Sequence, residues 1–155
     1  GLGDVYKRQV NSHYEPWRDD FIRAGVDLYE FRSDAAIKSS TVEVPPVTAD
    51  FIGLHSKSAV VDRRYVFVGS MNLDPRSAKI NTEMGAFVDS PELAEDLAQI
   101  IERDMSGENA WHVQMDDEGT ITWHNSDETL TKQPARDGMQ RVMNVLMKIG
   151  PAEQY

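Results

Sequence analysis

Apolar and polar positions follow two different periods along the chain, and the changes of period mark the predicted elements. Apolar residues recur at helical spacing over about 16–24, Gly25 follows as a plausible C-cap, and residues 26–31 alternate as in a half-buried strand. Ser90 and Pro91 occupy the positions favoured at a helix N-terminus, so a second helix is predicted to begin there and to end at Gly107. Its apolar face is predicted from five residues: Leu93, Leu97, Ile100, Ile101 and Met105.

The other segments predict strands, a loop and a terminal helix. Four segments are β-like: residues 51–61, 65–68, 82–88 and 111–124. The pattern of residues 111–124 is typical of a hairpin across an acidic turn. Residues 32–50 include several Ser and Thr, one Lys and two adjacent prolines, so a long flexible loop is expected. An amphipathic helix is predicted over about 136–149. This order predicts an α/β fold, a mixed sheet flanked by helices with the central strands carrying the site.

The two ends of the sequence differ in character. Residues 1–9 resemble the translation of a sequencing-library adaptor, so we exclude them and expect the natural protein to extend upstream. Residues 10–155 are long enough for one domain with a hydrophobic core. No apolar run approaches the roughly 18 residues that a membrane-spanning helix needs.

Charge and cysteine content narrow the chemistry. The net charge is −10, and residues 91–128 account for it with eleven acidic residues and one basic residue. An acidic protein is a poor general binder of nucleic acid, because neutralisation of phosphates by Lys and Arg supplies most of that affinity. The sequence contains no cysteine, so disulfides and thiolate metal sites are excluded.

The candidate chemistry lies in one short stretch. His55 and Lys57 are two apart on a predicted strand and would therefore project from the same face. Ser70 and Asn72 follow the next apolar strand, whereas Asp62 falls near the intervening turn. An imidazole, an ammonium, a hydroxyl and a carboxamide together suit a tetrahedral phosphate.

The spacing of these residues resembles a known family. His-x-Lys-x4-Asp-x6-Gly-Ser-x-Asn is the signature of the phospholipase D superfamily, and every fixed position is present. The segments 24–31, 72–77, 81–85 and 150–155 are similar to the cardiolipin synthase branch, so the likeness covers nearly all of the chain after residue 9.

The resemblance implies a two-lobed enzyme in which each lobe gives one such motif to a shared site. No metal or cofactor is needed: one motif histidine attacks phosphorus, giving a phosphohistidine, and the other protonates the leaving alcohol. Because about 95 residues follow the motif, this chain is expected to be the C-terminal lobe, paired with an N-terminal lobe carrying a second motif.

The resemblance also implies a role for each site residue. His55 would be the general acid/base and Lys57 the phosphate clamp. Ser70 and Asn72 would hydrogen-bond phosphoryl oxygens. Glu83 matches the acid that orients a motif histidine, in either lobe. Asp62 belongs to the catalytic motif but is expected to be a structural buttress.

The function implied is phosphatidyl transfer between anionic phospholipids, as in cardiolipin synthesis. A hydrolytic phospholipase D and a superfamily nuclease are the alternatives, and a degenerate lobe is disfavoured because no motif residue is lost. A lipid substrate would place the enzyme peripherally on the cytoplasmic face of the inner membrane. The predicted helix at residues 136–149 could attach to that membrane, but packing of this helix against the domain is favoured. Four residues are expected to be structural or ordinary surface positions: Ser77, Lys79, His112 and His124.

Overall fold

A computed structural model describes residues 15–49, 52–72 and 75–134. Within these ranges the chain forms two compact units. We call residues up to Glu30 and from Trp111 onward the terminal unit, and residues 31–110 the central unit. After a 3-10 turn at Glu15–Trp17 the elements are α1 (Arg18–Arg23), β1 (Leu28–Phe31), α2 (Lys38–Thr41), β2 (Ser58–Val61), β3 (Tyr65–Gly69), α3 (Pro75–Lys79), β4 (Gly85–Asp89), α4 (Pro91–Asp104), β5 (Ala110–Met115), β6 (Ile121–His124) and β7 (Thr129–Leu130).

The terminal unit is built on a four-stranded sheet in the order β1-β5-β6-β7. Strands β5 and β6 form the hairpin predicted from the sequence, with Met115 opposite Ile121 beside the turn. Every second residue of β5 faces inward, so Trp111 and Val113 form a small core with Trp123. The hairpin thus supplies most of the apolar surface that holds this unit together.

A buried ion pair fixes α1 to this core. The guanidinium of Arg18, which is 6% exposed, donates from Nε to Glu30 Oε1 at 2.8 Å and lies 5.1 Å from the ring centroid of Trp123. The indole Nε1 of Trp123 donates to the other carboxylate oxygen of Glu30 at 2.9 Å. Glu30 therefore joins two elements that are distant in sequence.

Helix α1 ends as its sequence predicts. Gly25 has φ of +85°, in the left-handed region that glycine adopts without steric cost. Its N–H donates to the carbonyl of Ile22, and the N–H of Val26 donates to the carbonyl of Phe21. These two bonds form a Schellman motif, which turns the chain from α1 into β1.

The central unit contains an antiparallel sheet in the order β2-β3-β4, with β3 in the middle. Val66 of β3 is 1% exposed, on the face of the sheet against which α4 packs. Ser90 caps α4 by accepting a hydrogen bond at Oγ from the N–H of Leu93, and Pro91 is its first residue. The predicted start of this helix is confirmed.

The buried face of α4 differs from the predicted one. Its buried residues are Ala94 and Ala98, whereas Leu93 and Ile100 are 44% and 46% exposed. Small side chains let the helix axis approach the sheet closely, which moves the larger residues toward the edges of the contact. The periodicity identified the helix correctly but not which of its apolar residues lie innermost.

Residues 32–49, which are predicted to form a flexible loop, are irregular except for one short helix. They contain α2, and the buried side chain of Asn109 accepts from the N–H of Ile37 at 3.0 Å. The carbonyl of Asn109 accepts from the N–H of Arg32 at 2.8 Å. The flexibility expected for this segment stays a prediction, and the side chain that bonds to it lies about 70 residues away in sequence.

Three other elements depart from the sequence patterns. Strand β2 begins at Ser58, so residues 52–57 of the predicted strand are irregular. The helix α3 and the short strand β7 were not predicted. The predicted helix at 136–149 and the adaptor-like residues 1–9 lie outside the described residues. The α/β class of a phospholipase D-like domain is confirmed, with the strands divided between two sheets. Among the described helices, none has the length and apolarity that crossing a membrane requires.

Candidate active site

The β2–β3 hairpin sets the positions of the motif residues. Its turn places Asp62 and Arg63 in the left-handed region, with φ of 53° and 47°. Asp tolerates this conformation better than most residues, since its short side chain can bond locally. Arg63 then pairs with Glu95 at 2.9 Å and also with Glu102, both on α4. The turn is thereby tied to the helix that covers the sheet.

The register of the sheet aligns Lys57 with two glycines. The N–H of Gly69 donates to the carbonyl of Lys57 at 2.9 Å, which extends the β2–β3 ladder by one residue. Gly69 pairs in turn with Gly85 on β4. The row beside Lys57 therefore has no side chains of its own, and the ring of Phe67 lies across both glycines. Backbone and an aromatic ring form the surface next to the ammonium.

His55 and Lys57 are both accessible to solvent. His55 is exposed and Lys57 is half-buried, on the irregular segment that leads into β2. The ammonium Nζ of Lys57 donates to the backbone carbonyl of His55 at 2.9 Å. The two predicted residues are thus held together through the main chain, and neither is packed away from solvent.

Ser70 and Glu83 form the most closely bonded pair of the site. The hydroxyl of Ser70 donates to Glu83 Oε2 at 2.6 Å. The N–H of Met84 donates to Ser70 Oγ at 3.0 Å, and the N–H of Ser70 donates to the carbonyl of Met84 at 2.8 Å. Ser70 thereby continues the β3–β4 ladder with its side chain in place of its own carbonyl.

The surroundings of Glu83 favour its charged form. The hydrogen bond from Ser70 is the largest cause that holds the pKa of this carboxyl below its usual value, and hydrogen bonds from Ser77 and Asn81 act in the same direction. The positive charge of Lys57 lowers the pKa further. Glu83 is therefore an anion near neutral pH, within electrostatic reach of the clamp lysine.

Ser77 and Asn81, which both affect the pKa of Glu83, were not predicted to belong to the site. Ser77 was expected on the surface but is 4% exposed, and Asn81 was not singled out. Ser77 lies on α3 and Asn81 follows that helix, so their proximity to Glu83 in sequence was the available signal. The prediction for Ser77 was wrong because α3, which places this serine beside the carboxylate, was not recognised.

Asp62 lies apart from the other motif residues. It follows β2 while Lys57 precedes it, so their Cα atoms are separated by roughly 16 Å of extended chain. Asp62 lines a hollow of about 390 Å³ between the hairpin and α4, together with Arg63 and Met105. Asn72 is half-buried, two residues beyond Ser70. Asp62 is exposed, and the buttress role expected for it stays a prediction.

The two described histidines of the terminal unit, His112 and His124, have structural partners. His112 bonds through Nε2 to Asp27 at 2.5 Å and stacks on Tyr29 with ring centroids 4.6 Å apart. His124 bonds to the hydroxyls of Thr122 and Thr129. Within 15–49, 52–72 and 75–134, no group of three or more His, Asp or Glu side chains is arranged to hold a metal ion.

Comparisons with known proteins agree with this arrangement of residues. A family model described as the phospholipase D-like domain of cardiolipin synthase matches residues 6–105. Cardiolipin synthase C of Escherichia coli strain K12 is 38% identical over 152 residues, covering 93% of this chain and 31% of that protein. Cardiolipin synthase 1 of Staphylococcus aureus strain COL is 37% identical over 76 residues, which is 49% of this chain and 15% of that protein. No solved structure matches the chain.

The chain thus spans about a third of the length of its Escherichia coli relative. The matched region contains all the motif residues from His55 to Glu83 together with β2, β3, β4 and α4. The chain belongs to the family of cardiolipin synthase phospholipase D-like domains.

Proposed function

We propose that this chain forms one half of the active site of a phosphatidyltransferase of the cardiolipin synthase type. The observation that carries the proposal is the solvent-accessible pair His55 and Lys57, joined through the main chain beside a row of glycines. Membership of the family supports the same reaction class.

His55 is suited to proton transfer. An imidazole exchanges protons near neutral pH and can act first as an acid and then as a base. In the proposed first step, a histidine of another lobe attacks phosphorus, the bond to the leaving alcohol oxygen breaks, and His55 gives that oxygen a proton. In the second step, His55 removes the proton of an acceptor alcohol, which attacks phosphorus and releases the histidine.

Lys57 is suited to holding the charge of the phosphoryl group. Its ammonium has three donor hydrogens, of which one goes to the carbonyl of His55. The other two can meet phosphoryl oxygens, and the amide of Asn72 can add a neutral donor from the neighbouring loop. Fixed positive charge at a developing anion stabilises the transition state without reorganisation of solvent.

The rest of the enzyme would lie outside this chain. One motif provides one histidine, so the attacking histidine belongs to an N-terminal lobe with a second motif. The proposed substrate is an anionic phospholipid, which would place the enzyme on a membrane surface, at the cytoplasmic face in the scheme favoured by the sequence. The 155-residue chain alone is expected to be inactive.

Product analysis tests the reaction class. The complete reading frame that encodes this chain is expressed, purified and incubated with vesicles of phosphatidylglycerol, and separately with single-stranded DNA. Cardiolipin measured by mass spectrometry supports transfer. Phosphatidic acid without cardiolipin would replace the proposal with hydrolysis, and DNA cleavage with intact lipid would replace it with a nuclease.

A further inference from the structure

The hydroxyl of Ser70 is fully committed to protein partners. A serine hydroxyl has one hydrogen to donate. In this site the hydrogen goes to Glu83 Oε2 at 2.6 Å, a short distance typical of hydrogen bonds to a charged carboxylate. One lone pair of the same oxygen accepts from the N–H of Met84 at 3.0 Å. The carbonyl of Met84, at 3.3 Å, is the other acceptor within reach of the hydroxyl.

This commitment conflicts with the binding of phosphate by Ser70. Phosphoryl oxygens only accept hydrogen bonds, so a ligand to them must offer a hydrogen. Ser70 could offer one only by releasing the carboxylate of Glu83, leaving an anion without its shortest hydrogen bond. The N–H of Met84 would also have to accommodate a rotated hydroxyl.

The hydroxyl of Ser70 helps to hold the carboxylate of Glu83 in one orientation. This carboxylate is held from one side by Ser70, and Ser77 and Asn81 also favour its charged form. Lys57 acts on it through its charge. A carboxylate held in one orientation provides a fixed negative charge near the clamp lysine.

We infer that Ser70 is a positioning residue that acts through Glu83, holding its carboxylate in place near Lys57, and is not a ligand of the phosphoryl group. The inference rests on the proposed function for its kinetic consequences, because a phosphoryl group must be bound in this site. Its structural half concerns the Ser70–Glu83 bond alone and can be tested without turnover.

The structural test measures the ionisation of Glu83. The carboxyl group of Glu83 is followed by NMR through a pH titration of the 155-residue chain, in the wild type and in Ser70→Ala. Because Ser70 is the largest cause of the lowered pKa, its removal is expected to raise the pKa of Glu83 toward the ordinary value for glutamate. Ser56→Ala, which removes an exposed hydroxyl bonded to Ser58, is the matched control and is expected to leave the pKa of Glu83 unchanged. An unchanged pKa in Ser70→Ala would overturn the inference even in an inactive chain.

The kinetic test uses the complete reading frame on phosphatidylglycerol vesicles. Ser70→Ala is expected to lower kcat between about tenfold and a hundredfold with little change in KM, the range that one hydrogen bond to a charged group corresponds to. The acid limb of its pH profile should move to higher pH, and Ser70→Thr, which keeps the hydroxyl, should restore most of the rate. Ser70→Ala and Glu83→Gln should be non-additive, because the two residues act as a unit.

The opposite pattern would assign Ser70 to phosphate binding. A raised KM with an unmoved pH profile, or losses that multiply in the double variant, would overturn the inference while leaving phosphatidyl transfer intact. A wild-type enzyme that makes neither cardiolipin nor phosphatidic acid would instead reject the proposed function, and the titration of Glu83 would still decide the role of Ser70.

Discussion

Replacing Gly85 by alanine should destabilise the central unit by overpacking the row beside Lys57. A Cβ at this position would lie 2.5 Å from Cε2 and 2.8 Å from Cζ of Phe67. Ordinary van der Waals contact begins near 3.4 Å, so the ring must move by about 1 Å or leave its rotamer. Gly85 pairs with Gly69, whose N–H bonds to the carbonyl of Lys57, so the disturbance lies next to the proposed site.

The magnitude follows from two opposing effects. Overpacking of this kind costs about 1–3 kcal/mol. Replacing glycine also stiffens the unfolded chain, which stabilises the fold by roughly 0.4–1 kcal/mol. Taking the middle of each range, the net loss in the free energy of unfolding is about 1.3 kcal/mol. With a urea m-value of about 2 kcal/mol per M, the unfolding midpoint should fall by about 0.5–1 M.

The assay is urea unfolding of the 155-residue chain followed by circular dichroism. Gly53→Ala is the matched control, since a Cβ there meets no atom within 4 Å and the residue is not in the left-handed region. Its midpoint should stay constant or rise slightly. Phe67→Ala provides a second check, because removing the ring should make Gly85→Ala nearly harmless in the double variant. Equal midpoints for Gly85→Ala and Gly53→Ala would refute the packing described for this row.

Three further predictions concern stability, acid and membranes. Glu30→Ala should lower the free energy of unfolding by about 2–3 kcal/mol in the same urea assay, because the buried guanidinium of Arg18 loses the carboxylate of Glu30. A change below about 0.5 kcal/mol would contradict this prediction. The hydrogen bond from Arg32 holds the pKa of Asp34 below its usual value, so its contribution to stability is present above about pH 4 and is lost as pH falls through the lowered value. The wild type should therefore exceed Asp34→Asn in urea midpoint by more at pH 7 than at pH 2.5, and an equal difference at both values would argue against it. If residues 136–155 attach the protein to bilayers, their deletion should abolish co-sedimentation with anionic vesicles, whereas equal binding with and without them would remove that role.

The sequence predicted those parts of the fold in which the two partners of an interaction are close together in the chain. The helix end at Gly25 and the helix cap at Ser90 could be predicted from the sequence, because each depends on residues within one helical turn. The β5–β6 hairpin was readable for the same reason. The bond between the N–H of Ile37 and the side chain of Asn109 could not be predicted, because the two residues are about 70 positions apart in sequence.

The candidate site divides in the same way. The spacing of His55 and Lys57 predicted a strand that would project both from one face, whereas β2 begins at Ser58 and both residues precede it. The spacing could not show that the hydroxyl of Ser70 faces Glu83, because that bond crosses from β3 to the residues before β4. Nor could it show that Ser77 is buried, because its burial depends on a short helix with no clear periodicity.

The most direct test of the central claim is the rate of cardiolipin formation after His55→Ala and Lys57→Ala in the complete enzyme. The rates are measured by mass spectrometry on phosphatidylglycerol vesicles, with Lys132→Ala, an exposed lysine of the terminal unit, as the charge-matched control. Loss of a general acid/base costs about 10²–10⁴-fold and loss of one electrostatic contact to the transition state about 10²–10³-fold, so both variants should fall below a hundredth of the wild-type rate while the control retains it. A rate above a tenth of wild type in either folded variant would contradict the claim that this pair handles the phosphodiester.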